Sequence, residues 1–426
     1  MASGPLDGIR ILEFTQIIAG PFGGMLLADM GAEMIKVEPI GGEAWRLQAQ
    51  FAPLESKSYQ ALNRGKLSLS LDLTRPECQQ VIHRLTLEMD AVVINYRPDV
   101  AEKLRIDYET LRQIKPDLVY VDSTAFGRQG PMADWPGYDL VVQSFSGLTA
   151  AGARFDEHGT PLQVSPAPVV DNTTGYAIAW ATCAALLYKE RTGRGQLVET
   201  SLLANALMVQ YGSFMSLPAA DGETRTAFLE RLRQAREDGR SYREFAEDSS
   251  AAQRRAYGGG GIYYRCFNTR DGAIAVGNLS AALREKMQQV LGVEDIRDQP
   301  GYDPTAPESI EFAQRLTARV EEMIAAETTA NWLEVFVEAG VPVAPIEFIE
   351  ELDQHPQILA NELVAELHHD ITGPQTQVAP PIKMSVSPPR PQGASPPLGR
   401  DNDRILAAVG YSAEEIESMR AAGAIR

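Results

Sequence analysis

The sequence predicts an open α/β sheet with Rossmann-like winding, followed by a smaller domain of mixed helix and strand. Three observations predict it. Short apolar runs alternate with helix-patterned segments through the first third of the chain. A stretch rich in arginine and glutamate then breaks the pattern at 221–256. Four consecutive glycines, Gly258, Gly259, Gly260 and Gly261, lead from it into a hairpin-like segment.

The elements follow in order. Residues 9–14 and 34–37 are apolar runs that suit buried parallel strands, with a helix-like segment at 22–30 between them and Gly31 as its C′ residue. A second cycle gives a helix at 76–88, a strand at 91–95, a helix at 108–114 and a strand at 118–123. The turn after the first strand, Thr15 to Pro21, has no G-x-G-x-x-G, so a dinucleotide-binding dehydrogenase is a poor reading. Residues 176–187 read as a helix. Past the glycines, strands at 262–267 and 273–276 flank the turn Asn268-Thr269-Arg270-Asp271-Gly272, and helical patterns follow at 283–291 and 309–326. The proline-dense stretch 374–397 is expected to run extended over the surface, and 403–422 to be helical.

A chain of 426 residues suits two domains, or one large domain carrying a smaller one. Apolar residues make up 44% and charged residues 23%, ordinary for a soluble globular protein. No apolar run approaches the ~20 residues of a membrane span, so no membrane partner is expected. The first residues lack a basic region followed by an apolar one, and Cys78, Cys183 and Cys266 are odd in number and far apart. Both point to reduced thiols in the cytoplasm, with no metal-ligand spacing. The formal charge of −18 argues against a nucleic-acid partner.

Asp171 stands after Pro168-Val169-Val170 and before Asn172-Thr173-Thr174-Gly175. A carboxylate at an extended-to-helix junction is ordinarily an N-cap, and taken alone that reading stays open beside a catalytic one. Its surroundings carry more. Upstream come Ile11-Leu12-Glu13-Phe14-Thr15, Ala19-Gly20-Pro21, Gly31 to Pro39, Asn95-Tyr96-Arg97-Pro98 and Gly137-Tyr138-Asp139. Downstream come Thr192-Gly193-Arg194-Gly195, the glycine run, Gly340 to Pro345, Pro381-Ile382-Lys383 and Pro396-Pro397-Leu398-Gly399. In this order and spacing, these segments resemble the family III CoA-transferases, the group of formyl-CoA and carnitine CoA-transferases, with α-methylacyl-CoA racemases as relatives.

The resemblance implies a Rossmann-like large domain built from 1–220 and 331–426, with 221–330 as connector and inserted small domain. It implies two chains threaded as interlocked rings, as a homodimer or a heteromer with a paralogous subunit. Coenzyme A enters as a thioester substrate beside a small carboxylate, with no permanently bound cofactor. Asp171 matches the nucleophile; Tyr138, Asp139 and the loop Gly258–Gly261 match groups lining the active site. Asn95, Tyr96, Arg97 and Lys103 match a segment that contacts the nucleotide. Oxyanion stabilisation is expected from backbone N–H groups near Ala19–Pro21 or at the start of the helix after Asp171.

Chemistry fits these residues. An aspartate can attack an activated thioester, and the anhydride and thioester that follow are water-sensitive, so a glycine-rich lid suits the site. A polyanionic substrate on an acidic protein needs a local basic patch, for which Lys36, Arg46, Arg64, Lys66, Arg75, Arg97, Lys103 and Arg105 are the candidates. Two departures narrow the substrate. Ile18 stands near the place of a glutamine in formyl-CoA transferase, with Gln16 given no catalytic role, which points away from formate and oxalate. Succinyl-CoA with a hydroxydicarboxylate such as malate or citramalate is the pairing expected. The alternative is an acyl-CoA racemase or epimerase, in which a histidine occupies the place of Tyr138 as second base; a tyrosine, with a reference pKa near ~10, is a poor base at neutral pH. A non-catalytic CoA-binding homologue is the third reading, and the presence of Asp171 opposes it.

Overall fold

A computed structural model describes residues 4–247, 261–304 and 306–426. The chain divides into two compact units. Residues up to Arg154, Leu162–Leu217 and Pro356–Arg426 form the first, and Phe155–Pro161 with Pro218–His355 the second.

The first unit is built on a six-stranded parallel sheet. Its strands are β1 (Arg10–Phe14), β2 (Glu33–Glu38), β3 (Leu67–Ser70), β4 (Ala91–Ile94), β5 (Val119–Thr124) and β6 (Leu197–Ser201), in the order β3-β2-β1-β4-β5-β6. That is the doubly wound order, with its switch point between β1 and β4. β3 and β6 lie outside the strands expected from sequence, because Leu67-Ser68-Leu69-Ser70 and Leu197 to Ser201 mix polar with apolar residues. β6 tolerates that mixture because it is only partly buried, whereas the serines of β3 are buried and its free edge is paired by side chains: Ser68 N donates to Asp401 and Ser70 N to Asn402.

Strand alternation sends side chains to two cores. Leu12, Phe14, Val92, Ile94 and Tyr120 pack with Val81, Ile82 and Leu85 of the helix Pro76–Leu87. Ile11, Met34, Val93 and Val121 pack with Leu26 and Leu27 of the helix Ala19–Asp29 and Ile178 and Leu186 of the helix Val169–Thr192. These two helices meet through glycine. A Cβ on Gly23 would lie 2.9 Å from the Gly175 carbonyl oxygen, and one on Gly175 would lie 2.6 Å from the Phe22 ring and 2.9 Å from the Ala19 carbonyl oxygen. The close approach brings the start of the long helix beside the loop that follows β1.

The long helix starts at Val169, seven residues before the expected 176, so Asp171 is its third residue rather than its cap. At the C-terminal end of the chain, the stretch expected to run extended over the surface opens as a half-exposed strand. β11 (Gly373–Val378) pairs antiparallel with β10 (Val364–His369) despite Pro374. Further on, Ser395 and Pro396 are buried rather than superficial, because the Pro396 carbonyl accepts a hydrogen bond from the buried Arg46 guanidinium at 3.0 Å. The expected terminal helix is split into Asn402–Ala408 and Ala413–Ala421 around Gly410 at φ +89°, with Ser412 and Glu415 forming a capping box.

The second unit has an antiparallel sheet of β7 (Tyr264–Asn268), β8 (Ala273–Gly277) and β9 (Val343–Pro345). Helices Ala281–Leu291, Pro307–Ala325 and Thr329–Ala339 cover a core containing Phe267, Ile274, Val276, Met287, Val320, Trp332 and Phe336. The hairpin lies where the sequence placed it. β9 pairs with β8, so this unit continues past the expected boundary at 330 to His355. The helix Pro218–Glu237 opens the stretch 221–256, read as a solvated helical connector. Among the described residues, no helix is long and apolar enough to cross a membrane.

Candidate active site

Open parallel sheets bind ligands beyond the carboxyl ends of their strands, at the switch point. A cleft of about 270 Å³ lies there in the first unit. Gln16, Ile17, Ile18 and Ala19 follow β1, Asn95 and Arg97 follow β4, and Ser123, Thr124 and Ala125 end β5; all line it. Tyr138 and Asp171 complete the wall.

The start of the helix Val169–Thr192 explains how Asp171 is held. Pro168 occupies the N-cap position and has no side-chain acceptor for the orphan N–H groups of the first turn. Asp139 supplies one from outside the helix: its Oδ2 accepts from the N–H groups of Val170 at 2.8 Å and Asp171 at 2.9 Å. Asp139 is itself held, since the side-chain amide of the buried Gln143 donates to its Oδ1, and Gln143 Oε1 accepts from Val164 N at 3.1 Å. The cap therefore comes from Asp139, and the Asp171 side chain is left over for other work.

Asp171 is 6% exposed, and no described residue donates a hydrogen bond to its carboxylate or places a cation beside it. Burial, with the negative charge of Asp139 in addition, pushes its pKa up to about 7. A carboxylate made more basic this way is a better nucleophile once ionised.

The loop Thr15–Ile18 is held from beneath. The Asn95 side chain accepts from Gln16 N and donates to Gln16 O, both at 2.9 Å. Glu43 Oε2 accepts from Ile17 N at 3.0 Å, and Lys36 Nζ donates to Thr15 O at 2.8 Å. Lys36 is fully buried; burial alone would lower its pKa, but Glu13, Glu43 and Glu38 outweigh it and raise it. Lys66 is also buried, 2.9 Å from Glu13, and its pKa falls to about 8 because desolvation exceeds the attraction of Glu13. Arg46 pairs with Glu38 at 2.7 Å and Arg64 with Asp29 at 2.6 Å, again out of solvent. Half of the basic residues proposed for a surface patch are thus internal counter-ions. Lys36 lies on β2, Arg64 and Lys66 just before β3 and Arg46 on the short helix Ala44–Leu47, and it is their tertiary partners that turn them inward.

The other expected residues separate as follows. Tyr138 is 60% exposed on the cleft wall. Arg97 lines the cleft and makes a paired contact with Asp99 at 2.8 and 3.0 Å; Lys103 reaches the same Asp99 at 3.3 Å, and both cations are solvent-accessible. Asn95 lines the cleft with both ends of its amide engaged by Gln16. Tyr96 packs against the sheet core on the other side and does not line the cleft; burial raises its pKa. Gly258, Gly259 and Gly260 lie outside the described residues, and Gly261 lines a separate pocket of the second unit with Tyr263 and Arg297. Ile17, Thr124 and Glu43 were not singled out from sequence, and Gln16 was named without a role; strand ends at the switch point would have found Gln16, Ile17 and Thr124. Among the described residues no group of His, Cys, Asp and Glu could hold a metal ion.

The chain is similar to known proteins over nearly its whole length. Residues 6–402 match the model of CoA-transferase family III. The human succinyl-CoA:glutarate CoA-transferase is 30% identical over 99% of this chain and 90% of its own length. The succinate–glutarate CoA-transferase of Agrobacterium fabrum is 32% identical, over 95% of this chain and 96% of its own. A crystal structure of an aspartate-to-alanine variant of Rv3272 from Mycobacterium tuberculosis superposes with a TM-score of 0.74 at 28% identity, covering 96% of this chain and all of that one.

Proposed function

The chain belongs to family III of the CoA-transferases, and we propose that Asp171 is the carboxylate through which it moves CoA from succinyl-CoA to a second short dicarboxylate. The observation that carries this reading is a buried, unpartnered carboxylate at the switch-point cleft, fixed by a backbone cap that leaves its oxygens unused. The chemistry runs in four displacements. Asp171 attacks the thioester carbonyl and expels CoA thiolate, leaving a mixed anhydride. The thiolate attacks the aspartyl carbonyl, releasing succinate and leaving Asp171 as a CoA thioester. The incoming carboxylate attacks that thioester, re-forming an anhydride and thiolate. Thiolate attack on the acceptor's acyl carbon then releases the new acyl-CoA and restores Asp171. Every step exchanges one acyl bond for another, so water is the competitor to be excluded.

The cleft has room for a short acyl group at the reacting end, not for a whole nucleotide thioester. The exposed cations Arg97 and Lys103, which share the single carboxylate of Asp99, suit the phosphates beyond it. Glutarate is named for three of the relatives and mesaconate for two others. These names support short dicarboxylates as the acceptor class we propose, with malate and citramalate as hydroxylated members. The assembly we propose is the interlocked dimer. Racemisation would need a second base, and the lining offers Tyr138, with no histidine among its described residues.

The test is covalent trapping. Hydroxylamine with succinyl-CoA should convert Asp171 to its hydroxamate and stop transfer, whereas hydroxylamine alone should leave the enzyme active. Equal inactivation in both tubes would remove the aspartyl intermediate. Glutarate, mesaconate, malate and citramalate offered as acceptors then rank the substrates.

A further inference from the structure

Ile17 has φ +70°, in the left-handed region, and it is β-branched. Such a residue pays for that backbone with strain, and strained positions persist only where their surroundings impose them. Here the surroundings are explicit. Glu43 Oε2 accepts from both Ile17 N, at 3.0 Å, and Trp45 N, at 3.1 Å. Its Oε1 lies 3.6 Å from Lys36 Nζ, which holds the carbonyl of Thr15. Asn95 fixes both backbone groups of Gln16 between them. Glu43 is 4% exposed and reaches the loop from beyond the end of β2, so it does not line the cleft.

We infer that Glu43 is a positioning residue, which locks Ile17 in its left-handed conformation and so fixes the Gln16–Ala19 wall against which Asp171 reacts. The inference rests on the transferase reading for its effect on rate, but not for the clamp itself. Ile17 N, turned down onto Glu43, is withdrawn from the cleft; the backbone on either side then has one presentation toward the acyl group instead of several. A loop freed of the clamp relaxes to φ below zero, rotates the peptide planes beside Ile18 and Ala19, and misplaces the wall without removing any group that touches substrate.

Two readouts on the full-length protein test this. In crystals of Glu43→Ala, Ile17 should relax to negative φ; persistence near its present value would overturn the clamp. In steady-state transfer from succinyl-CoA to glutarate, Glu43→Ala should lower kcat about tenfold, with KM changed less than about threefold. The same substitution in an Ile17→Gly background should cost several-fold less, because glycine adopts φ +70° without strain. An equal loss in both backgrounds would mean that Glu43 serves the charge network alone. Glu43→Gln keeps an acceptor for Ile17 N and should lose less activity than Glu43→Ala; a larger loss would also count against the clamp. If the Ala variant fails to fold, the comparison of Gln in the two backgrounds stands in for it, with the same expected rescue. Absence of transfer by the parent enzyme, with Ile17 relaxed in the variant, would sink the transferase reading and leave the clamp intact.

Discussion

The two walls of the cleft bury carboxylates on opposite terms. Beneath the Thr15–Ile18 loop, Glu13 and Glu43 are buried against Lys36 and Lys66 at 2.9 to 3.6 Å, and backbone groups engage Glu43 and both lysines, while Glu13 Oε2 and Glu43 Oε1 face the lysines without a hydrogen bond. On the other wall Asp171 is buried with no cation and no donor, and the nearest acidic influence on it, Asp139, has the same sign. The first arrangement is architecture: charge is cancelled, and its removal would be felt as instability. The second is reactivity held in place by its neighbours, because an uncompensated buried charge raises the free energy of the ionised enzyme and makes the carboxylate readier to form a neutral ester-like product.

The largest expected effect breaks the comparison at its reactive side. Asp171→Asn removes the nucleophile and keeps the shape, so transfer should fall by about 10⁴-fold or more while the folded structure persists. Acyl-CoA exchange followed by chromatography measures this. Anything above trace turnover would return Asp171 to a structural role. At the architectural side, Glu13→Gln leaves Lys66 without its carboxylate and Lys36 with only Glu43 close by. Breaking a buried pair by removing one partner costs about 3–5 kcal/mol, and urea denaturation should show a loss of that size. A change below about 1 kcal/mol would mean that both lysines find water, and that the network is not the support described.

The contrast also separates what could be read in the sequence from what could not. The strands β1, β2, β4 and β5 were legible because each is a short apolar run buried on both faces, and the hairpin β7–β8 because a turn signal separates its halves. Asp171 was legible only through the order of the segments around it. By itself it looked like a cap, and the true cap, Asp139, lies 32 residues earlier, a pairing that no local pattern encodes. The same limit misplaced Lys36, Arg46, Arg64 and Lys66. Lysine and arginine are usually exposed, and only the register of β2 beside β1 reveals that Lys36 points at Glu13. Glycines made the difference visible after the fact: a Cβ on Gly24 would lie 2.3 Å from the Glu13 carboxylate, so the helix yields space to the buried charges.

The smallest effect sharpens the comparison most, because it measures the cost of Asp171 without any substrate. Its carboxyl has a pKa of about 7 in the fold and an ordinary value of 3.8 when unfolded. Between those values the folded protein holds a proton that the unfolded chain has released, so the parent loses stability as pH rises from about 4 through 7. Above about pH 7 the charged group is buried in the fold and solvated in the unfolded chain, and the loss is complete. An asparagine side chain at this position does not titrate. Asp171→Asn should therefore match the parent near pH ~4, where both side chains are neutral in the fold, and exceed it at about pH 8 by up to roughly 4 kcal/mol, the full free-energy equivalent of that displacement. Thermal melts of the two proteins across this range should diverge with increasing pH. The transfer rate of the parent at low substrate should climb over the same interval, as the nucleophile ionises. Parallel stability curves would show that Asp171 is solvated or paired in solution, and its place beside the compensated carboxylates of the opposite wall would then be restored. A rise in both the melting difference and the transfer rate would instead tie the destabilisation of the enzyme to the ionisation that makes it active, the relation expected where stability is given up for a reactive group.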